Sequence, residues 1–441
     1  MSRPAPKTFH VKSFGCQMNV YDGERMAEML ANEGMTTANG EADADLVVLN
    51  TCHIREKAVD KVYSDIGRLR RADGTRPMIA VAGCIAQAEG AEIPRRAHEV
   101  DIVVGPQAYH HLPSMIETVT QGKRAIDLDL PGLTKFSALP PRRKTGPTAF
   151  LTIQEGCDKF CTYCVVPYTR GAEISRSFEA IIDEARTLID AGAKEITLLG
   201  QNVNAWALGD KGFHDLLAAL DKLPGLKRLR YMTSHPNDMT QGLIEAHGTL
   251  ETLMPFLHLP VQSGNDRILK AMNRSHSAAS YRDIIDRVRK VRPDIAVSGD
   301  FIVGFPGETT SEFADTLRLI EDVGYAMAYS FKYSPRPGTP AATMDDQIAP
   351  SMMDDRLQQL QALINRQQSA FNEASVGKRT SILLERGGKL SGQLIGKTPW
   401  LQSVHVMAGE HSIGDLVEVD LVSAGANSLA GMMTEKELHV A

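Results

Sequence analysis

The stretch GCDKFCTYCVVPYTRG, from Gly156 to Gly171, places Cys157, Cys161 and Cys164 within eight positions. Thiolates are soft ligands, suited to zinc and to iron–sulfur clusters. A closed tetrahedral zinc site takes four protein ligands, and no histidine lies nearby to be the fourth. Two readings follow. A remote side chain completes a zinc knuckle, or three thiolates hold three irons of a 4Fe–4S cluster and leave the fourth iron open. An open position serves substrate binding rather than structure, as it does at a catalytic zinc. On that reading the missing fourth cysteine points to catalysis.

The other cysteines, Cys16, Cys52 and Cys84, are far apart in sequence but alike in setting. They follow FHVKSFG, DLVVLNT and MIAVAG, apolar runs with the length of strands, and each precedes a helical pattern. Strands alternating with helices imply a parallel sheet, whose carboxyl-end edge is where ligands bind. The three thiols are therefore expected to converge, although free cysteines are also often buried without function. Disulfides are disfavoured, because a long chain that opens on the polar MSRPAPKTFHVKSF suggests a reducing, cytoplasmic setting.

Three regions must position these groups. Residues 8–125 carry the first cysteines and read as an α/β domain. Residues 126–147 form a linker containing LPPRRKTGP, where Arg142, Arg143 and Lys144 could touch phosphate or simply be solvated. Residues 148–375 hold six candidate strands: TAFLTIQ, EITLLG, RLRYMTS, FLHLPVQ, IAVSGDFIVG and MAYSFKY. Helical patterns lie between them, so the expectation is a partial (βα)6 barrel with its chemistry at the carboxyl ends of the strands. Residues 377–441 alternate apolar and polar positions between glycine turns, which reads as a small antiparallel β-barrel.

The formal net charge of −6 excludes a generally basic nucleic-acid binder and confines any RNA contact to one face. No apolar run approaches the ~20 residues of a membrane helix.

Eight segments then extend the argument. SFGCQMNVYDGE, LNTCHIREKA, AGCIAQ, EGCDKFCTYCVVPYTRG, LLGQNVNAW, FLHLPVQSGND, GDFIVGFPGET and YSPRPGTPA stand in the order found in the methylthiotransferases. The chain resembles that family of the radical S-adenosylmethionine superfamily over nearly its whole length. The resemblance implies two 4Fe–4S clusters, one on Cys157, Cys161 and Cys164 that binds S-adenosylmethionine, and an auxiliary one on Cys16, Cys52 and Cys84. It implies that one S-adenosylmethionine donates a methyl group to sulfur and a second yields a 5′-deoxyadenosyl radical. GCQMN and HLPVQSG favour the branch acting at C2 of N6-dimethylallyladenosine in tRNA. Enzymes acting on threonylcarbamoyl-adenosine or on ribosomal protein S12 are near rivals, and a zinc-stabilised RNA-binding protein is a distant one.

Further assignments follow from the same resemblance. Tyr163 packs near the adenine of S-adenosylmethionine. Gly200, Gln201 and Asn202 stand where the superfamily has a Gly-Gly-Glu turn, with the acid replaced. Asp300 to Gly304 resembles the strand along the adenine, so Ile302 and Gly304 are candidate contacts. Gln262 and His235 close other strands on that face. The C-terminal region resembles a TRAM module, although Lys378, Arg379, Arg386, Lys389, Lys397 and Lys436 are offset by seven acidic residues. The expected partners are the tRNA, an electron donor such as flavodoxin or ferredoxin, and iron–sulfur assembly or carrier proteins. A monomer is expected.

Overall fold

The computed structural model describes residues 3–53, 56–71, 74–130, 134–142 and 146–434. Six parallel strands form the first sheet: β1 (Thr8–Ser13), β2 (Thr36–Thr37), β3 (Leu46–Thr51), β4 (Met78–Gly83), β5 (Ile102–Val104) and β6 (Ala125–Asp127). Their order is β2-β1-β3-β4-β5-β6. LVVLNT and MIAVAG are buried at every position, because helices cover both faces of a parallel sheet. The short edge strands β2 and β6 had no sequence signal of their own. The order reverses at β1, so the ends of β1 and β3 flank the switch point, the usual ligand crevice of such sheets.

The middle region supplies β7 (Thr148–Thr152), β8 (Glu195–Leu199), β9 (Arg228–Tyr231), β10 (Phe256–His258), β11 (Ala296–Val303) and β12 (Met327–Lys332). All six lie where the sequence placed them. They pair in parallel as two three-stranded sheets, and a bridge from Leu229 to Leu253 joins the halves. Successive side chains alternate between faces. Ile196, Leu198, Leu229, Tyr231, Leu257 and Val297 therefore pack outward against the helices. Phe150, Leu199, Met232, Phe256 and Met327 point into the lumen instead, where one apolar cluster contains Met18 and Tyr21 from the first domain and Trp400 and Leu401 from the last. The barrel is filled from both ends by its neighbours.

The last domain is a closed barrel of β13 (Arg379–Gly387), β14 (Gln393–Lys397), β15 (Ser403–Met407), β16 (Leu416–Ala424) and β17 (Leu429–Met433). Four pairings are antiparallel, as expected; β15 and β17 pair in parallel. It docks under the amino ends of β8 and β9. Arg228 donates to the Lys397 carbonyl at 2.6 Å and the Ser381 carbonyl at 2.9 Å. Arg230 donates to the Pro399 carbonyl at 2.7 Å and the Thr398 carbonyl at 3.0 Å. Glu195, 3.1 Å from Arg230, supplies the countercharge. No helix among the described residues is long and apolar enough to cross a membrane.

One charge reading needs correction. Arg142 is neither solvated nor poised for phosphate: it is buried, 3.0 Å from Glu24 and 2.8 Å from Glu28. Arg143, Lys144 and Lys436 lie outside the described residues. In the C-terminal barrel, Arg379 is paired with Asp420 at 2.9 Å, and Lys397 is mostly buried against the middle domain, with its Nζ on Ser403 at 2.8 Å.

Candidate active site

Cys16, Cys52 and Cys84 line one cavity of about 400 Å³ between the first domain and the mouth of the central barrel. The backbone makes this close approach possible. Gly15 adopts φ +97°, and a Cβ there would lie 2.2 Å from the Cys52 Cβ, so only glycine lets Cys16 and Cys52 meet. Cys16 caps the 16-residue helix Gln17–Asn32, and Cys84 opens the helix that follows β4. Across the cavity stand Leu199, Gly200, Gln201, Met232, His258 and Asp300 from the barrel.

The Cys16 thiol is pulled down to about 6 by a hydrogen bond with Cys52, which outweighs burial; the nearby Arg170 charge adds to the effect. Burial pushes Cys84 up, and Arg170 opposes it. Arg170 ends the helix Val166–Arg170 beyond the cysteine loop and is itself buried in the cavity wall.

The second triad is built from one loop. Gly156, at φ +76°, has no room for a Cβ, which would fall 1.9 Å from the Ala172 carbonyl. Gln201 accepts the Gly156 N–H at 2.6 Å. Asn273 donates to the carbonyls of Lys159 and Phe160 at 3.1 and 3.0 Å, and Arg274 reaches the Cys161 sulfur at 3.7 Å. Burial pushes Cys157 up to about 11 and Cys164 up to about 12. Beneath this loop is a second cavity, of about 170 Å³, lined by Tyr163, Cys164, Gln262 and Ile302. Val165, Val166, Asp300 and Phe331 belong to the walls of both cavities, so the two abut.

The remaining candidates divide by place. Gly200 and Gln201 face the larger cavity; Tyr163, Gln262 and Ile302 face the smaller one. Asn202, His235 and Gly304 line neither. Asn202 donates to Asp238 at 2.8 Å, and Asp238 in turn binds Lys159 of the cysteine loop at 2.8 Å. His235 accepts the Asn237 N–H at 3.1 Å, and burial with the nearby Arg274 charge holds its ring near 2, hence neutral. Gly304 packs on Met353. Arg170, Asn273, Arg274 and His258 were missed as site residues. Arg170 had one signal, being the lone cation late in the quoted stretch.

Among the described residues, no three His, Cys, Asp or Glu side chains gather as a single caged ion requires. The donor chemistry fits larger groups: thiols in two sets of three, the first lining the larger cavity together and the second reaching the smaller one through Cys164, with an Arg170 Nη1 that is buried and lacks a hydrogen-bond partner beside the first set.

Comparisons with known proteins agree with this division. Residues 8–105 match the uncharacterized protein family UPF0004, and residues 151–320 match the radical SAM superfamily. A radical S-adenosylmethionine methyltransferase, TsrM, from Kitasatospora setae shares the fold, with a TM-score of 0.57 at 14% identity over 76% of this chain and 75% of that one. Among curated proteins, the tRNA-2-methylthio-N(6)-dimethylallyladenosine synthase of Novosphingobium aromaticivorans is 67% identical over 98% of both chains. That of Sphingopyxis alaskensis is 68% identical over 97% of this chain and 98% of its own. That of Zymomonas mobilis is 62% identical over 99% of both. Likeness at this level over nearly the whole length places the chain in the tRNA-2-methylthio-N(6)-dimethylallyladenosine synthase family of radical S-adenosylmethionine enzymes.

Proposed function

We propose that this chain adds a methylthio group to C2 of N6-dimethylallyladenosine beside the anticodon of tRNA. The observation that carries the reading is the pair of abutting cavities, one lined by Cys16, Cys52 and Cys84, the other roofed by the Cys157–Cys164 loop. The relatives' shared name favours this substrate over threonylcarbamoyl-adenosine or ribosomal protein S12.

Cys157, Cys161 and Cys164 would hold the 4Fe–4S cluster that takes S-adenosylmethionine, and Cys16, Cys52 and Cys84 the auxiliary one. When bound, the first supplies the electron that splits S-adenosylmethionine to a 5′-deoxyadenosyl radical, and the second supplies the sulfur that another S-adenosylmethionine methylates. The target carbon bears a C–H bond with no acidic proton, which is the physical reason for a radical route. Tyr163, Gln262 and Ile302 line the space for the nucleoside part of S-adenosylmethionine. Gly200 and Gln201 face the larger cavity, while Asn202 braces Asp238, His235 caps the Asn237 backbone and Gly304 packs on Met353. An electron donor of flavodoxin or ferredoxin type and iron–sulfur carrier proteins complete the system, with the chain acting as a cytoplasmic monomer.

Mass spectrometry of tRNA nucleosides from cells lacking the protein tests this. The methylthiolated adenosine should vanish, the unmethylthiolated precursor should accumulate, and the wild-type chain should restore the product. An unchanged nucleoside profile refutes the assignment. A colourless, zinc-containing protein from anaerobic purification refutes the cluster chemistry.

A further inference from the structure

Arg170 is 3% exposed and lies where three parts of the molecule meet. It comes from the barrel, one residue short of the end of the cysteine-loop motif. Its Nη2 donates to Asp22 at 2.7 Å and to Asn19 at 3.2 Å, both on the first-domain helix that Cys16 caps. Glu155, also buried, is 3.7 Å from Nη1 and is held by the fully buried Lys135 of the linker. Gln107 of the first domain donates to the Arg170 carbonyl at 3.1 Å. Lys135, Glu155, Arg170 and Asp22 thus form a chain of alternating charges across the domain seam.

This arrangement leaves a residue. Two cations and two anions balance, yet Nη1 of Arg170 has no hydrogen-bond partner, although Arg170 lines the cavity with Cys16, Cys52 and Cys84. A buried unsatisfied guanidinium N–H is costly and calls for an acceptor. The Arg170 side chain lies close to the Cys84 thiol and also feels Cys16, and an anionic sulfur accepts a charge-assisted hydrogen bond.

Accepting that the first triad holds a cluster, as proposed above, we infer that Arg170 is its positioning residue: its free Nη1 donates to an anionic sulfur of that site and its charge favours the reduced state. Hydrogen bonds to sulfur and local charge are the protein's principal means of setting a cluster's potential. The site would then be poised by an arginine delivered from the domain that carries the other triad, and its potential would depend on the two domains being docked.

The test uses the full-length chain with Cys157, Cys161 and Cys164 changed to Ala, so that the first triad is the remaining cluster site. The protein is reconstituted anaerobically with iron and sulfide, assayed for iron, and titrated redox-wise by electron paramagnetic resonance. Arg170→Lys retains the charge and should stay near the parent potential. Arg170→Gln removes it and should lower the potential, with about a tenfold change in the reduction equilibrium, or about 59 mV for one electron. Asp22→Asn with Arg170→Gln removes the buried pair together and covers the case in which the single variant does not fold; its downward shift should be smaller, because loss of the Asp22 anion offsets the lost cation and leaves mainly the altered hydrogen bond to sulfur. Failure of Arg170→Gln to take up iron while Arg170→Lys does so also supports the role. An unchanged potential in Arg170→Gln overturns it, as does one in the double variant where the single variant does not fold. A parent that folds but binds no iron overturns the cysteine assignment instead.

Discussion

The two cysteine triads solve the same problem in opposite ways. Cys157, Cys161 and Cys164 come from one loop, whose shape depends on a glycine without space for a side chain and on Asn273 and Arg274 from a distant segment. Cys16, Cys52 and Cys84 come from three strand ends, and the sheet itself sets their spacing. Their electrostatics differ too. Cys16 is held near 6, whereas Cys157 and Cys164 are pushed up to about 11 and 12. A loop can be melted locally; a sheet edge cannot. The two sites should therefore fail independently.

The largest effects come from removing single thiols. Cys161→Ala should abolish cleavage of S-adenosylmethionine while the first triad keeps its iron, measured by 5′-deoxyadenosine formation and iron assay. Cys52→Ala should do the reverse: 5′-deoxyadenosine still forms, and no methylthiolated tRNA appears. Loss of iron from both sites in either variant would break the comparison.

Gly156→Ala comes next. The added methyl would meet the Ala172 carbonyl at 1.9 Å from a φ of +76°, so the loop must open. Roughly half the parent's iron should remain, as expected when one of two clusters is lost, and far-ultraviolet circular dichroism should be unchanged. Full iron content would show that the loop tolerates a different backbone.

Much of this organisation was legible before the structure, for reasons that also explain what was not. The barrel strands announce themselves because apolar runs such as EITLLG and FLHLPVQ are local signals. The convergence of Cys16, Cys52 and Cys84 follows from topology, since every strand of a parallel sheet ends on the same edge. Asn273 and Arg274 gave no such signal: they act on a loop more than a hundred residues away. Arg142 was misread because a Pro- and Arg-rich linker looks solvated until Glu24 and Glu28 are found beside it. Arg228 and Arg230 sit unmarked in the strand run RLRYMTS, yet they anchor a whole domain through backbone carbonyls. Side-chain partners distant in sequence leave no periodicity to read.

That anchor yields a smaller prediction at the opposite end of the barrel. Arg230→Met leaves Glu195 buried beside a weaker pairing to Arg228 at 3.9 Å. Stripping one partner from a buried pair costs about 3 kcal/mol, which denaturant unfolding measures. Both triads should keep their iron and their spectra under native conditions, because the damage lies at the amino ends of the strands. A selective loss at one triad would show that the C-terminal barrel supports that site in particular.

An effect confined to acid pH probes the scaffold the two sites share. His247 is buried in the barrel's helical layer, 2.6 Å from the Tyr231 hydroxyl, and burial lowers its pKa to about 3. It is neutral in the folded state at pH values where an unfolded chain, with a histidine near 6.5, has begun to bind a proton. Unfolded protein therefore gains protons first, and stability falls as pH drops from about 6.5 towards 3, with no contribution from this group above that window. The slope approaches about 1.4 kcal/mol per pH unit for one proton. His247→Gln should remove this increment, so its stability should fall less steeply than the parent's over the same range. Because His247 touches neither triad, both iron sites should be lost in one acid transition, followed by their separate spectra. Two transitions, one for each cluster, would mean that the sheet and the loop rest on scaffolds that unfold apart.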